Sequence, residues 1–566
     1  MGKHGHAYPQ IEPRAADLMD TRVTTVPGSA SVGKSLDLAR AAHARLVTDR
    51  RAAARLEDLE RAAAWGFGRR RWLRIAHVGL PSVAPGTGEI AVRRLLDSGA
   101  AAVLVRDGRR TVGIVEPPPR PAAAAHWTVA RLERLQGFEG EARLWLLRTA
   151  GKLAEAQGQA AFAVGGFVRD LLLVRAPRHV PDLDLAVEGD GIAFGRRLAE
   201  ETGGHLVVHA AFGTASLEGG ATPDGTRLGR VDIASTRRER YALPGALPDV
   251  SPASIVEDLG RRDFSINAMA IALAPSAWGR LLDPFGGQRD VAAKRLRVLH
   301  PLSFVEDPTR VWRGGRYATR LGLKPDASFG RALALAMGAS EYPALSGQRL
   351  HAELDLVMDE PDPWAVLGLL LSWGALRIWD PGFRLTSRSR GRLRAARSLA
   401  AWAHGAGVAV EAGALALAAL LFDQRRTTAE RCLRRLAVVS VDAARFDAAA
   451  ARRLARRVGA QPQRRSSRVA EMLRPAPEAL LLGAWLCGGR RTRSRIEWFL
   501  AHGRGARPLS SGDDVVALGV PRGPRVGQAL ALLRDLRLDG RVRTKDDERA
   551  AVADWIEVLT RKGGSR

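Results

Sequence analysis

Apolar positions change rhythm along this chain, and the changes divide it. Between Val23 and Val115 short apolar runs alternate with helical stretches, twice over. "VTTVPGSASVGKSLDLARAAHARLVTDRR" is echoed by "LPSVAPGTGEIAVRRLLDSGAAAVLVRDGRR". Each copy predicts a short strand, a Pro-Gly turn, a helix, and a strand ending near Asp49 or Asp107. The second copy closes with a further strand at Thr111–Val115. The stretch "EPPPRPAAAA", Glu116–Ala125, is a linker by composition. Helical periodicity follows from about Phe138 to Gln157, and an α/β segment from about Ala160 to Ala274. Beyond about Glu306 the pattern is helical almost to the end, dense in Ala, Leu and Arg and without strand alternation.

Composition narrows the class. A chain of 566 residues holds roughly three or four domains. A hydrophobic content of 46% is enough for a sizeable core. The formal net charge of +27 favours an anionic partner, with nucleic acid the usual one. Only Cys432 and Cys487 occur, too few for a zinc site or a disulfide framework. The first twenty residues contain no apolar signal core, and His6 stands where a myristoylation signal needs Ser or Thr. The run "WAVLGLLLSWGAL" is shorter than the ~20 residues a membrane helix needs. A cytoplasmic protein with no membrane segment is expected.

"GSASVGKS", Gly28–Ser35, matches the phosphate-loop pattern. Its repeat partner "GTGEIAVR" lacks the Gly-Lys pair, and too little chain remains before the linker for a nucleotide-hydrolase sheet. It is read as a turn and a helix start.

Chemistry concentrates further on. In "PDLDLAVEG", Pro181–Gly189, the apolar positions Leu183, Leu185 and Val187 predict a strand that begins with Asp182 and Asp184. Residues at i and i+2 on a strand share a face. Two neighbouring carboxylates repel unless a cation lies between them, and a hard divalent ion such as Mg²⁺ suits carboxylate oxygens. The bland alternative is a solvated edge strand. Upstream, "AFAVGGFVRDLLL" predicts a strand running into Gly165-Gly166 and then a helix. Backbone amides at such a helix start suit phosphate, and glycine lets a ligand approach. Arg169, in the first helical turn, is placed to grip phosphate oxygens.

Together these stretches resemble the class II tRNA nucleotidyltransferase and bacterial poly(A) polymerase family, within the polymerase-β-like superfamily. "VDIASTRRERYALPGALPDV" with Asp232, "EDLGRRDFSINAMAI" with Arg261, Arg262 and Asp263, and the stretch from Leu281 to Leu323 agree with it. The likeness covers about Ala160 to Leu356. The N-terminal repeat resembles a tandem pair of CBS domains, as in the family's long subtype. Its second copy lacks the Thr/Ser and Asp that normally follow the "GIV" strand, where "EPPPRP" stands instead. That leaves structural, dimerising and ligand-sensing roles open.

The resemblance implies an α/β CBS-like pair, an α+β polymerase-β-like nucleotidyltransferase head, and an all-α neck, body and tail. The expected division is 1–121 for the degenerate CBS-like pair, 122–158 for linker and helix, 159–275 for the head, 276–345 for the neck, and 346–566 for the body and tail. It implies Asp182, Asp184 and Asp232 as catalytic carboxylates, the first two as Mg²⁺ ligands. Gly165, Gly166, Arg169, Arg262, Asp263, Asp307, Arg310, Arg313 and Arg316 are the implied nucleotide contacts. The implied partners are the tRNA 3′ end, ATP and CTP, with a homodimer through the CBS-like pair.

"EDPTR", Glu306–Arg310, resembles the family's base-reading motif. Cytosine and adenine each present an amino donor beside a bare ring nitrogen, whereas uracil and guanine present a carbonyl beside an N–H. An aspartate that accepts and an arginine that donates fit the first pair and repel the second. Asp307 before Pro308 is equally a good helix cap. Gly314-Gly315 inside the next helix cost about 1 kcal/mol each against alanine, and are expected to loosen it or to form a hinge. "LSGQRLHAEL", Leu345–Leu354, resembles the family's next helical motif, and the bland alternative for its Arg349 and Glu353, at i and i+4, is a surface ion pair. The expected function is template-independent addition of CMP and AMP to tRNA, with release of pyrophosphate. The rivals are a poly(A) polymerase, a specialised A-adding or CC-adding enzyme, and a catalytically weak RNA-binding protein.

Overall fold

The computed structural model describes residues 12–97, 100–116, 131–133, 137–173, 183–210, 213–339, 342–438, 447–460 and 465–563. The chain forms two units. The first comprises Met1–Glu353, Glu360–Asp362 and Ser372–Ile378; the second comprises Leu354–Asp359, Pro363–Leu371 and Trp379–Arg566.

The first unit begins with the short helix α1 (Ala15–Leu18) and the repeat seen in the sequence. β1 (Val23–Thr25), α2 (Val32–Ala41), β2 (Leu46–Asp49) and β3 (Ala52–Arg55) form one copy. Helix α3 (Leu56–Ala62) and β4 (His77–Val78) follow it. β5 (Ser82–Val83), α4 (Glu89–Asp97), β6 (Val103–Asp107) and β7 (Arg110–Val115) form the second copy. In each copy the first strand pairs parallel with the second, and the second pairs antiparallel with the third. Leu46 and Ala53 of the first copy pack with Leu80, Leu104 and Ile114 of the second, so neither copy closes its core alone. At Gly28–Ser35 the chain makes a turn, and Ser31 caps α2 by accepting from the Lys34 amide at 3.2 Å. A Cβ on Gly28 would lie 2.6 Å from Asp49 Oδ2, so that loop closes on its own strand rather than opening round a ligand.

Helix α5 (Gly137–Ala156) leads into a seven-stranded sheet. Its members are β8 (Ala160–Val164), β9 (Leu183–Glu188), β10 (His205–His209), β11 (Thr214–Glu218), β12 (Val231–Ser235), β15 (Ala270–Ala272) and β16 (Leu281–Leu282). The order is β10-β11-β12-β9-β8-β15-β16, with β12 and β9 parallel and the other pairs antiparallel. Strand alternation gives the sheet two apolar faces. Leu183, Leu185 and Val187 pack with α5, with α6 (Gly166–Leu172) and with α7 (Gly191–Thr202). Phe162, Val164 and Ala186 face Ile255 and Leu259 of α8 (Ile255–Gly260). A ribbon of β13 (Arg237–Arg240) and β14 (Asp249–Pro252) lies outside the main sheet.

The neck follows as α9 (Gly287–Ala292), α10 (Ser303–Glu306), α11 (Thr309–Leu321) and α12 (Ala327–Met337). The helical region is not wholly without strands, because β17 (Arg295–Leu296) pairs parallel with β18 (Lys324–Pro325). Helix α11 runs unbroken through Gly314-Gly315. A Cβ on Gly314 would stand 3.0 Å from Phe264 and 3.1 Å from Phe329. Those rings belong to an aromatic cluster with Phe304 and Tyr317. The glycine at 314 therefore lets the helix settle on that cluster, and the expected hinge gives way to a packing contact.

The second unit consists of helices and their connections, with no strand among its described residues. Its core includes Leu415–Leu421, Leu481 and Trp485. Many of its arginines are used inside the unit. Arg392 lies 4.5 Å from the Phe422 ring centre and Arg493 4.5 Å from that of Trp485. A cavity of about 600 Å³ is lined by Arg452, Arg456, Arg490 and Arg491 beside Gly488-Gly489. The arginine-rich segment 388–398 lies within helix Ser387–Gly405, while 461–464 lie outside the described residues. Among the described residues no helix is long and apolar enough to cross a membrane.

Candidate active site

One rung of the large sheet carries the chemistry. Strand register aligns Ser216, Asp232, Asp184, Val164, Ala270 and Leu282 across successive strands. In-register neighbours project to one face, so Asp184 and Asp232 stand side by side about 4.8 Å apart in the backbone. The apolar half of the rung seals against the core at Val164, which is 1% exposed. The polar half emerges at its acids. Asp232 accepts from Ser216 Oγ at 2.6 Å and pairs with Arg230 at 3.0 Å. Asp182 lies outside the described residues. Among the described residues no three His, Cys, Asp or Glu side chains gather to hold a metal ion. The donors that the rung does present are carboxylate oxygens, the set that suits a hard divalent cation.

Gly165 has φ +70°, left-handed, and stands directly before α6. A Cβ there would lie 3.0 Å from Arg262 Nη1 and 3.5 Å from Asp184 Oδ2. The turn, the acid and the arginine therefore converge, and a side chain at 165 would fill the space between them. Arg262 is anchored to Asp258 at 3.0 Å, yet its buried Nε has no hydrogen-bond partner. Such a donor favours an anion. Asp258 anchors Arg262 through Nη2. Burial pushes its carboxyl up, but Arg262 and Arg261 outweigh burial and hold it below the usual range.

Arg169 is placed differently from the expectation. It is 5% exposed, pairs with Asp170 at 2.7 Å, donates to Asn267 Oδ1 at 2.9 Å, and lies over the Tyr317 ring. It is a brace for the turn rather than an open phosphate grip. Asp263, 4% exposed, accepts from Asn267 and from the Phe264 amide, and faces Arg313 at 3.0 Å. Burial raises the Asp263 carboxyl, but Arg313, Asn267 and Arg310 together hold it below the ordinary range. Arg313 in turn is pushed well above its usual value, chiefly by Asp263.

The acid–arginine chain continues along α11. Arg316 pairs with Glu353 at 3.3 Å and with Glu360 at 3.0 Å, and Arg320 shares Glu360 at 3.4 Å. The expected surface pair Arg349–Glu353 is thereby corrected. Glu353 turns to Arg316 and Arg313, while Arg349 donates to Asp307 at 2.8 Å and to the Gly245 carbonyl at 2.8 Å. Helical spacing predicted the wrong partner because both side chains face the neck, not solvent.

At "EDPTR", Asp307 Oδ1 accepts from the Thr309 amide at 3.1 Å and from the Thr309 hydroxyl at 2.6 Å, so it caps the start of α11. Arg310 is 4% exposed. It donates to Ser303 Oγ at 2.8 Å, to the Arg261 carbonyl at 2.9 Å and to the Tyr241 hydroxyl at 3.3 Å. Glu306 is buried behind both residues. Burial raises its carboxyl, yet His300, Arg61 and Arg310 bring it down to about 2. Sequence reasoning passed over Arg61, Tyr241, Asn267 and Ser216. Only Asn267, four positions after Asp263, offered a local signal.

Residues 161–297 match the family of the poly A polymerase head domain. An A-adding tRNA nucleotidyltransferase of Geobacter sulfurreducens is 35% identical over 415 residues, 71% of this chain and 46% of that protein. A CC-adding tRNA nucleotidyltransferase of Deinococcus radiodurans is 35% identical over 399 residues, 69% of this chain and 88% of that protein. The solved complex of a CCA-adding enzyme with CTP is 25% identical, with a TM-score of 0.58, over 76% of this chain and 98% of that one. The chain spans 46%, 55% and 28% of the lengths of three A-adding relatives.

Proposed function

The chain belongs to the tRNA nucleotidyltransferase family, and we propose that it adds CMP and AMP, or one of the two, to the 3′ end of tRNA. CTP and ATP are the donors, no nucleic-acid template is used, and pyrophosphate leaves. The observation that carries this reading is the rung that sets Asp184 beside Asp232, with Gly165 and the unpartnered Arg262 Nε next to it. Mg²⁺ would be held by Asp182 and Asp184, with Asp232 beside them, and when bound it neutralises triphosphate oxygens and lowers the pKa of the attacking 3′-hydroxyl.

The chain's own residues do the rest. Arg262 donates to the triphosphate, and Gly165-Gly166 keep the space beside it open. Arg169 holds Asn267, which holds Asp263, so this brace fixes Arg313 toward the nucleotide. Asp307 and Arg310 select the base by accepting from and donating to its edge, in exchange for their present partners. The N-terminal repeat, 1–121, is read as the CBS-like pair and as the seat of a homodimer. Residues 159–275 act as the catalytic head and 276–345 as the nucleotide-binding neck. The arginine-lined cavity near Arg490 belongs to the RNA-binding body, 346–566. The cytoplasm is the compartment this activity implies.

Addition of A alone is the second reading, favoured by the names of three relatives. The experiment supplies tRNAs ending before CCA, after CC, or complete, with CTP and ATP singly and together. Growth that stops at CCA supports the main reading. Extension of the CC-ending tRNA alone supports A addition, and long homopolymers support tailing. No incorporation from any triphosphate overturns the proposal.

A further inference from the structure

The N-terminal repeat reaches the base-selecting segment through one helix. On α3, Arg61 donates through Nη1 to Glu306 and through Nη2 to Asp58. Glu306 is 3% exposed and directly precedes Asp307. Its other oxygen meets His300 Nε2 at 3.2 Å and Arg310 Nη1 at 3.9 Å. A second contact runs parallel to the first. Trp65 Nε1 donates to the Ala242 carbonyl at 3.2 Å, next to Tyr241, whose hydroxyl accepts from Arg310. The loop between these points is tied back, because the Gly245 amide donates to the Glu306 carbonyl at 3.0 Å. So α3 and the turn after it touch both supports of Arg310: the carboxylate on one side and the tyrosine on the other.

Charge decides what this contact does. A buried carboxylate must be matched by cations or it shifts its neighbours. Among the described residues Glu306 has three candidates, Arg61, His300 and Arg310, and of these only Arg61 is supplied from outside the head and neck. With Arg61 in place, Arg310 stays on Ser303, Tyr241 and the Arg261 carbonyl. Without it, Arg310 is the nearest full positive charge to Glu306, four residues on along the chain. Drawing Arg310 toward Glu306 would take it from the position where it faces a base together with Asp307.

We propose that Arg61 is a positioning residue for nucleotide choice, through which the N-terminal repeat sets the place of Arg310 by matching the charge of Glu306. This rests on the reading that Asp307 and Arg310 select the base. The test uses the full chain with tRNA lacking CCA and with tRNA ending in CC. It measures kcat and KM for each of the four triphosphates, with tRNA affinity and melting temperature alongside. A hydrogen bond to a charged group is stronger than one between neutral groups. Arg61→Ala is therefore expected to shrink the kcat/KM advantage of CTP and ATP over UTP and GTP by about tenfold or more, the change that ~1.4 kcal/mol gives. tRNA affinity should not change. Arg61→Lys should restore most of the advantage. Arg40→Ala, which breaks an exposed pair with Glu60 in the same repeat, should leave it intact. Should Arg61→Ala fail to fold, Arg61→Gln, which keeps a donor and loses the charge, carries the same comparison.

A folded Arg61→Ala or Arg61→Gln variant that keeps the full wild-type kcat/KM advantage of CTP and ATP over UTP and GTP overturns the inference. If Asp307→Ala relaxes the choice while Arg61→Ala does not, this inference alone falls. If the wild-type chain incorporates nothing, the underlying reading falls with it.

Discussion

Replacing Asp232 by Asn separates stability from chemistry at the proposed site. Asp232 and Asp184 occupy partner positions on neighbouring parallel strands. Two unit charges about 5 Å apart repel by about 3 kcal/mol at an effective dielectric of 20, and by under ~1 kcal/mol in water. The Asp232 side chain is 47% exposed, so the lower end applies, about 1 kcal/mol. Asn relieves that repulsion and loses the exposed pair with Arg230, itself worth less than ~1 kcal/mol. Asn can still accept from Ser216. The two effects oppose each other, and the melting temperature should move by no more than a few degrees. Catalysis should respond very differently. Charge stabilisation of a transferring phosphoryl group is worth several kcal/mol, and each 1.36 kcal/mol is tenfold in rate. The kcat for nucleotide incorporation should fall by at least about 100-fold, with tRNA affinity unchanged by gel shift. A folded Asp232→Asn protein that keeps a kcat within about threefold of wild type would refute the claim that the rung is catalytic.

Two further outcomes follow from the same geometry. Asp307→Ala should let UTP and GTP compete with CTP and ATP in a mixed-triphosphate incorporation assay, and unchanged selectivity would reduce Asp307 to a helix cap. Glu306 makes the fold acid-sensitive with a defined sign. Its carboxyl sits near 2 when folded against 4.5 ordinarily, so its stabilisation is present above about 4.5 and is lost as pH falls toward 2. That loss is on the order of 3 kcal/mol. Urea midpoints measured across this range should show it, and Glu306→Gln should flatten the slope; an identical slope in the variant would contradict the assignment.

Much of the frame is legible in local pattern, because strands and helices obey short periods. The repeat around Val23–Val115, the helix near 138–157 and the Asp184 strand all follow from alternation and turn residues. What the pattern does not contain is pairing across the fold. Asp232 lies forty-eight positions from Asp184, and only sheet register brings them together. Arg349 was visible as a neighbour of Glu353, yet its partner is Asp307, presented by the start of another helix. Arg169 looked like a phosphate ligand because helix starts commonly bind anions; Asp170 and Asn267 occupy its donors instead. Gly314 looked like a weakness, since propensity counts only the backbone, whereas the aromatic rings beside it leave little room for a methyl group. Arg61 carried no signal at all, being one of many arginines on a basic chain until the fold sets it against Glu306.

The central claim is that Asp182 and Asp184, with Asp232 beside them, hold a divalent cation with the incoming triphosphate. Mn²⁺, a paramagnetic stand-in for Mg²⁺, reports this without turnover. Its electron paramagnetic resonance signal can be titrated with wild type, Asp184→Asn and Asp232→Asn in the presence of CTP. Tight protein-dependent binding by wild type that weakens at least about tenfold in both folded variants is the predicted result. Equal Mn²⁺ affinity in all three proteins would contradict it.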